Sequence, residues 1–299
     1  MDVMNSEFGR MYSKPFLLGL IGGKLSHSVS HIMHKAAARA LGLDFHYFLF
    51  EIKSNELMLA LRGMEVLGFT GCNVTIPYKE AVLKYADEMS DEVKFIGSAN
   101  TLYFQDGKMI AENTDWLGFK ESWRKLNVGN IWDSTAVILG AGGAALAVAY
   151  ALAEAGIAVL HIFNRDLVRA EHLLYRIARQ FPDISGRAFS IFDFDNIAAS
   201  LERADYLINT TSVGMFPNVN ESPIKLPKMI NCKMRYYDLI YNPLKTRLAR
   251  ELEEKGFKTF GGLDMLVCQA SQSFRIWTGL APDEEVMANA AKEKLEFIS

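Results

Sequence analysis

Cysteine is scarce in this chain of 299 residues: Cys72, Cys232 and Cys268 are the only three. They lie far apart and form no C-x-x-C pair, which removes the familiar zinc and dithiol spacings and any disulfide framework. Each is set in an apolar run and reads as a buried free thiol of a reducing compartment. Charge of one sign is lacking too. With 32 basic against 35 acidic residues the net charge is −3, and no basic stripe or polybasic tail is present, so the expected partner is a small molecule rather than nucleic acid. No segment offers the roughly eighteen uninterrupted apolar residues of a membrane span. Residues 1–13 mix Asp, Glu and Arg without the apolar block of a secretory signal. Internal repeats and low-complexity segments are absent. These absences lead to the expectation of a soluble, cytoplasmic protein with no membrane partner.

What is present is apolar and patterned. Half the residues are hydrophobic, 50%, enough in a chain of this length for two cores. The most specific stretch runs from Thr135 to Arg165. Thr135-Ala136-Val137-Ile138-Leu139 suits a buried parallel strand and feeds into Gly140-Ala141-Gly142-Gly143-Ala144-Ala145, a G-x-G-x-x-A turn. Small residues there permit a tight turn and close backbone approach to a pyrophosphate, which sits on the N-terminus of the following Ala-rich helix, Gly143 to about Glu154. That helix is apolar but too short to span a membrane, and is expected to pack between sheet and solvent. A second apolar run, Ile157 to Phe163, ends in Asn164-Arg165, with Arg169 one turn later. An NAD site usually has Asp or Glu near this strand end to hold the ribose 2′-hydroxyl; Asn and Arg suit a 2′-phosphate, and hence NADP. Asp166 beside the arginines either repels that phosphate or itself takes the hydroxyl, so NAD is expected as a secondary cofactor. A lone glycine-rich turn would be weak; the strand before it, the helix after it and the second strand supply the context the fingerprint requires.

Ahead of this unit, strand-like and helix-like segments alternate. Phe16–Ile21, Phe45–Ile52 and Gly71–Ile76 read as strands, Ile32–Leu41 and Asn55–Leu67 as helices, and Pro77 as the first turn of another helix. Asn100–Phe104 and Lys108–Ala111 flank Asp106-Gly107, a hairpin turn signal. The result is an α/β domain, mostly parallel with one antiparallel excursion. Trp116–Leu126 reads as a linking helix, and the Rossmann-like unit continues through the strands Ala204–Asn209 and Tyr236–Tyr241. Their ends, Asn209-Thr210-Thr211-Ser212 and Tyr241-Asn242-Pro243, are expected to face the cofactor, because ligands collect at the carboxyl ends of such strands. Two helical stretches, Leu263–Trp277 and Asp283–Phe297, remain to pack back on an earlier domain. Two domains follow: residues 1–115, completed by 260–299, for substrate and catalysis, and 116–259 for the dinucleotide.

With substrate expected between the domains, the first must supply a proton donor. Lys79 follows an apolar strand and a proline, and Asp115 stands where the chain leaves the hairpin. Singly, Lys79 is as well explained as a solvated lysine and Asp115 as a helix cap. His27, His31 and His34 have i, i+4 and i+3 spacing that could place three imidazoles on one face, but no carboxylate lies near them, and helix-start and core-packing roles are the better reading; no metal is expected. Trp116, Trp123 and Trp277 read as core packing.

Taken together, the motifs resemble the shikimate dehydrogenase family, from about Gly19 to Gly279. His27-Ser28-Val29-Ser30 is similar to the family's substrate loop, Asn73-Val74-Thr75-Ile76-Pro77-Tyr78-Lys79 to its lysine motif, and Gly97-Ser98-Ala99-Asn100-Thr101-Leu102 to a hydroxyl-binding loop. Asn113-Thr114-Asp115-Trp116-Leu117-Gly118-Phe119 resembles the aspartate segment. Asn164-Arg165, Asn209 to Met215, Asp238 to Pro243 and Gly262 to Ala270 follow the family pattern in order. The resemblance implies a two-domain α/β fold, an N-terminal substrate domain and a Rossmann-like NADP domain, with the C-terminal helices packing on the N-terminal domain. It also implies an enzyme of aromatic amino acid (chorismate) biosynthesis that reversibly reduces 3-dehydroshikimate to shikimate with NADP.

By the same resemblance Lys79 and Asp115 are catalytic, and Ser28, Ser30 and Tyr241 bind the substrate carboxylate. Thr75, Asn100, Asp115 and Gln269 address the ring hydroxyls. Gly140, Ala141, Gly142, Gly143, Ala144, Asn164, Arg165, Arg169, Thr210, Ser212, Leu239 and Gly262 hold the cofactor. The chain is expected to be a monomer or homodimer. His31, Lys24 and Lys35 depart from the family pattern around the serines. Three alternatives stay open: a quinate/shikimate dehydrogenase that accepts both acids and uses NAD as well as NADP; a reductase of a related cyclic acid; and a regulatory paralogue that binds nucleotide without catalysis, against which the retained Lys79 and Asp115 argue.

Overall fold

A computed structural model describes residues 14–127 and 129–298. The segment read as lacking a secretory signal, residues 1–13, lies outside them. Along the chain come β1 (Phe16–Gly22), α1 (Ser30–Ala40), β2 (Phe45–Glu51), α2 (Leu57–Val66), β3 (Gly71–Val74), β4 (Glu88–Met89), α3 (Asp91–Ile96), β5 (Thr101–Gln105) and β6 (Lys108–Glu112). Then follow α4 (Thr114–Lys125), β7 (Thr135–Leu139), α5 (Gly143–Glu154), β8 (Val159–Asn164), α6 (Leu167–Gln180), β9 (Ser185–Ser190), α7 (Phe194–Leu201) and β10 (Tyr206–Asn209). The chain closes with β11 (Arg235–Asp238), α8 (Arg247–Glu254), β12 (Lys258–Phe260), α9 (Leu263–Thr278) and α10 (Glu284–Ile298). It divides into two compact units: one runs to Thr114 and resumes with Gln269–Ile298, the other is Asp115–Cys268.

The first unit holds a six-stranded sheet ordered β2-β1-β3-β5-β6-β4. β1 lies inside it, parallel to β2 and β3, and its unbroken apolar run is what burial on both faces demands. β5 is the one antiparallel strand, paired with β3 and β6. Asp106 (φ 53°) and Gly107 (φ 73°) turn the β5–β6 hairpin, the left-handed pair that a two-residue turn needs to match strand twist. α9 from Gln269 onward and α10 belong to this unit. Trp277 on α9 donates its indole N–H to Leu102 O at 2.9 Å, and α10 packs on α1. Gly71 makes that approach possible, since a Cβ there would stand 2.2 Å from Leu102 O and 2.5 Å from Trp277 Nε1.

The second unit holds a sheet ordered β12-β11-β10-β7-β8-β9, parallel throughout. The order reverses between β7 and β10, which makes their carboxyl ends the switch point of a doubly wound sheet. α5 is buried without interruption from Ala145 to Ala153. This corrects the expectation of a solvent face: a helix apolar all round needs cover on every side, and Tyr150 is packed edge-on by Trp116 of α4 at 5.3 Å and by Phe181 at 5.6 Å.

Three further corrections follow from the structure. Pro77 does not open a helix. Ile76–Pro77 is a cis bond in a turn where Tyr78 N–H donates to Thr75 O at 2.9 Å, and a single 3₁₀ turn begins only at Ala81. Cys72 and Cys268 are buried, but Cys232 is exposed, because Asn231 and Lys233 set it in a polar turn. Strands β4, β9 and β12, which no apolar alternation announced, are sheet edges, where short, polar segments are tolerated.

His27 lies in the loop before α1, while His34 is fully buried on it, stacked on Tyr47 at 4.8 Å and on Phe274 at 6.2 Å. Trp116, Trp123 and Trp277 are buried. Among the described residues no group of three or more His, Cys, Asp or Glu could hold a metal, and no helix is long and apolar enough to cross a membrane.

Candidate active site

In the first unit four separate segments are tied together by backbone. The loop carrying Ser28 is anchored by Gly23 N–H to Ile76 O (3.1 Å) and by Leu25 N–H to Glu51 Oε1 (2.7 Å), so it lies against the Thr75–Lys79 turn. Ser28 Oγ accepts from Ser30 N–H at 3.3 Å. Ser30 opens α1, whose N-cap, Val29, offers no side-chain oxygen, so the serine hydroxyls stand at an uncapped helix N-terminus. Thr75 is held by its N–H to Ile21 O at 2.9 Å.

Lys79 is half-buried, and its carbonyl accepts from Ala99 N–H at 2.8 Å, next to Asn100. Asn100, buried, donates through Nδ2 to Thr114 Oγ1 at 3.0 Å and to Gln269 Oε1 at 3.2 Å. The structure therefore joins Asn100 and Gln269 directly, although 169 residues separate them. Tyr47, Asn73, Thr101, Thr114 and Ser273, none of them singled out as a site residue from the sequence, surround this pair. The signal for Asn73 was available, as a polar residue inside the apolar strand Gly71–Val74.

In the second unit Asp115 is buried in the first turn of α4. Gly140 (φ 110°) leaves β7 where a Cβ would lie 2.5 Å from Thr210 Oγ1, and Thr210 donates that hydroxyl to Leu139 O at 2.7 Å. The glycine turn and the Thr210–Ser212 loop thus meet at the switch point. Gly142 caps α5 without a side chain and has nothing within 4 Å of its would-be Cβ. Ala141, Gly143 and Ala144 add no bulk, and a small-residue turn at the N-terminus of a helix fits a dinucleotide pyrophosphate. Leu239 and Gly262 are in close backbone contact, a Cβ on Gly262 standing 2.1 Å from Leu239 O. Burial pushes the Tyr241 phenol up.

At the end of β8, Asn164 donates to Asp166 O at 2.9 Å. Arg165 and Arg169 are exposed. The Asp166 carboxylate caps α6 through Arg169 N–H at 3.3 Å and pairs with Arg169 Nε at 3.7 Å.

Three family models match the chain: the shikimate dehydrogenase substrate binding domain over residues 20–102, shikimate / quinate 5-dehydrogenase over 123–225, and the shikimate 5'-dehydrogenase C-terminal domain over 262–292. The shikimate dehydrogenase (NADP(+)) of Methanocaldococcus jannaschii is 39% identical, over 95% of this chain and 98% of the relative. A crystal structure of a shikimate dehydrogenase in complex with NADP+ superposes with a TM-score of 0.86 at 38% identity, covering 95% of this chain and 96% of the other. The Listeria monocytogenes shikimate 5-dehydrogenase, in complex with shikimate and NAD, does so with a TM-score of 0.85 at 31% identity, covering 92% and 96%. By this identity over nearly its whole length, and by the order of its site segments, the chain belongs to the shikimate dehydrogenase family.

Proposed function

We propose that this protein is an NADP-dependent shikimate dehydrogenase, which reduces 3-dehydroshikimate to shikimate and reverses the reaction when NADP+ is in excess. The observation that carries this reading is the hydrogen-bonded amide pair of buried Asn100 and half-buried Gln269, beside the segment that holds Lys79. Two amides so placed suit vicinal ring hydroxyls. NADPH, when bound, supplies the hydride to the ring ketone.

Lys79 donates the proton to the carbonyl oxygen in reduction, and in oxidation Lys79 or Asp115 receives it from the hydroxyl. Ser28 and Ser30 at the N-terminus of α1, with Tyr241, receive the substrate carboxylate, where the helix dipole favours an anion. Thr75, Asn100, Asp115 and Gln269 hold the hydroxyls. Gly140, Ala141, Gly142, Gly143 and Ala144 cradle the pyrophosphate, and Asn164, Arg165 and Arg169 the adenosine phosphate end. Thr210, Ser212, Leu239 and Gly262 line the nicotinamide side. Cys72 and Cys268, buried and in no disulfide, accord with a cytoplasmic enzyme; a monomer or homodimer is proposed.

A second reading, turnover of both shikimate and quinate with NAD as well as NADP, is favoured by Asp166, a carboxylate at the strand end where a ribose hydroxyl is otherwise held. The test measures formation of reduced nicotinamide with each acid and each cofactor at alkaline pH. NADP-dependent oxidation of shikimate is expected to dominate. Saturable NADPH binding without turnover of either acid would overturn the reading and leave a regulatory nucleotide binder.

A further inference from the structure

Behind Asn100 and Gln269 lies a closed set of buried amides and hydroxyls that the chemistry does not itself require. Asn73 Nδ2 is 3.0 Å from Asn100 O and 3.1 Å from both Thr101 Oγ1 and Ser273 Oγ. A carbonyl can only accept, so that end of Asn73 is the NH₂, and its Oδ1 takes the Tyr47 hydroxyl at 2.7 Å. Asn100 is oriented by the same logic. Its Oδ1 accepts from Thr114 N–H at 2.7 Å, a group that can only donate, so Nδ2 must turn toward Gln269 Oε1. Gln269 then has its donor end, Nε2, on the opposite side.

Ser273 sits where these chains cross. Its Oγ is 2.8 Å from Thr101 Oγ1, 3.1 Å from Thr114 Oγ1 and 3.1 Å from Gln269 O, one turn earlier on α9. Ser273, Thr101 and Thr114 have no exposed surface, so no water replaces a lost partner.

We propose that Ser273 and Asn73 are positioning residues for substrate recognition: they hold the Thr101 and Thr114 hydroxyls, which in turn bond Asn100 Oδ1 at 3.2 Å, Asn100 Nδ2 at 3.0 Å and Gln269 Oε1 at 3.4 Å, and so help keep both amides in one donor–acceptor pattern that the accepted ring hydroxyls complement. This rests on the proposed function. An amide free to turn over would present oxygen where the substrate needs N–H, and the loss would fall on substrate binding rather than on the cofactor.

The test is Ser273→Ala, which removes one oxygen and keeps the helix, with Asn73→Asp as a second variant that cannot donate to its three acceptors. Steady-state constants for shikimate and NADP+ are measured separately, with melting temperature and NADPH binding as controls for folding. For Ser273→Ala the KM for shikimate should rise about five- to twentyfold, the order expected for one buried hydrogen bond, while kcat and the KM for NADP+ stay within about twofold. An unchanged KM for shikimate, or equal rises in both KM values, would overturn the proposal while leaving the function standing. Absence of shikimate turnover in the unaltered enzyme would instead overturn both.

Discussion

Asn209 donates its amide to Asp238 Oδ1 at 3.1 Å, and this bond locks together the ends of two neighbouring parallel strands. Asp238 is buried and accepts four hydrogen bonds. Ile240 N–H at 3.0 Å shares Oδ1, while the Tyr236 hydroxyl at 2.5 Å and the Thr246 hydroxyl at 2.7 Å take Oδ2. Asn209 Oδ1 in turn accepts from Thr211 N–H at 3.0 Å and Thr211 Oγ1 at 2.7 Å. One carboxylate thus organises both loops assigned to the nicotinamide. Burial still pushes its pKa up, against the pull of its donors.

Asp238→Asn turns an NH₂ toward two groups that can only donate or already do so. A loss of about 2–4 kcal/mol in unfolding free energy is expected, with a larger rise in KM for NADP+ than for shikimate. Urea unfolding and the two KM values check this; a variant with unchanged loops and stability would contradict it.

Lys79→Ala should lower kcat by roughly 10²–10⁴, the usual worth of a general acid–base group, and leave NADPH binding intact. An unchanged kcat would remove Lys79 from the proton path.

Asp166→Asn keeps the α6 cap, since Asn serves as well as Asp there, but removes the charge that pairs with Arg169. The ratio of kcat/KM for NADP+ over NAD+ should rise about two- to fivefold, the worth of one exposed charge. A fall in the ratio would show that the carboxylate assists the phosphate site.

His34 is fully buried among aromatic rings, and burial pushes its pKa down to about 3, partly opposed by Asn73. Between the ordinary histidine value of 6.5 and that figure, the unfolded chain binds a proton that the folded chain refuses. Stability from this residue is complete above the ordinary value and is lost as pH falls, by roughly 1 kcal/mol for each pH unit. His34→Phe, which keeps the stacking on Tyr47, should flatten the acid limb by about one proton in urea titrations across pH. Parallel limbs would rule out His34 as the source.

Two glycines should respond in opposite directions. Gly71→Ala drives a methyl into Leu102 O and the Trp277 indole and should destabilise by about 1–3 kcal/mol. Gly63, inside α2 with nothing within 4 Å of a Cβ, should gain roughly 0.5–1 kcal/mol as Ala. Thermal unfolding of the pair reads both signs.

The interior strands, the glycine turn at Gly140 and the Asp106–Gly107 hairpin were legible in the chain, because each is a local pattern with its own period or turn chemistry. So was the family, carried by short motifs in order. The edges β4, β9 and β12 were not, since an edge strand needs no apolar alternation; its pairing comes from a neighbour already in place. Pro77 was misplaced for a related reason: its ring fits a helix start and a turn equally well, and the backbone bonds that tie Thr75 to Ile21 and Ile76 to Gly23 select the turn.

By itself, then, the sequence determined which strands are buried and where the glycine turn stands, and it nominated the side chains proposed to carry chemistry. Tertiary structure alone decided how Tyr47, Asn73, Asn100, Thr114, Gln269 and Ser273 share their hydrogen bonds. Partners such as Asn73 and Ser273 stand 200 residues apart, and a buried donor is satisfied only by whatever acceptor the packed core brings within reach.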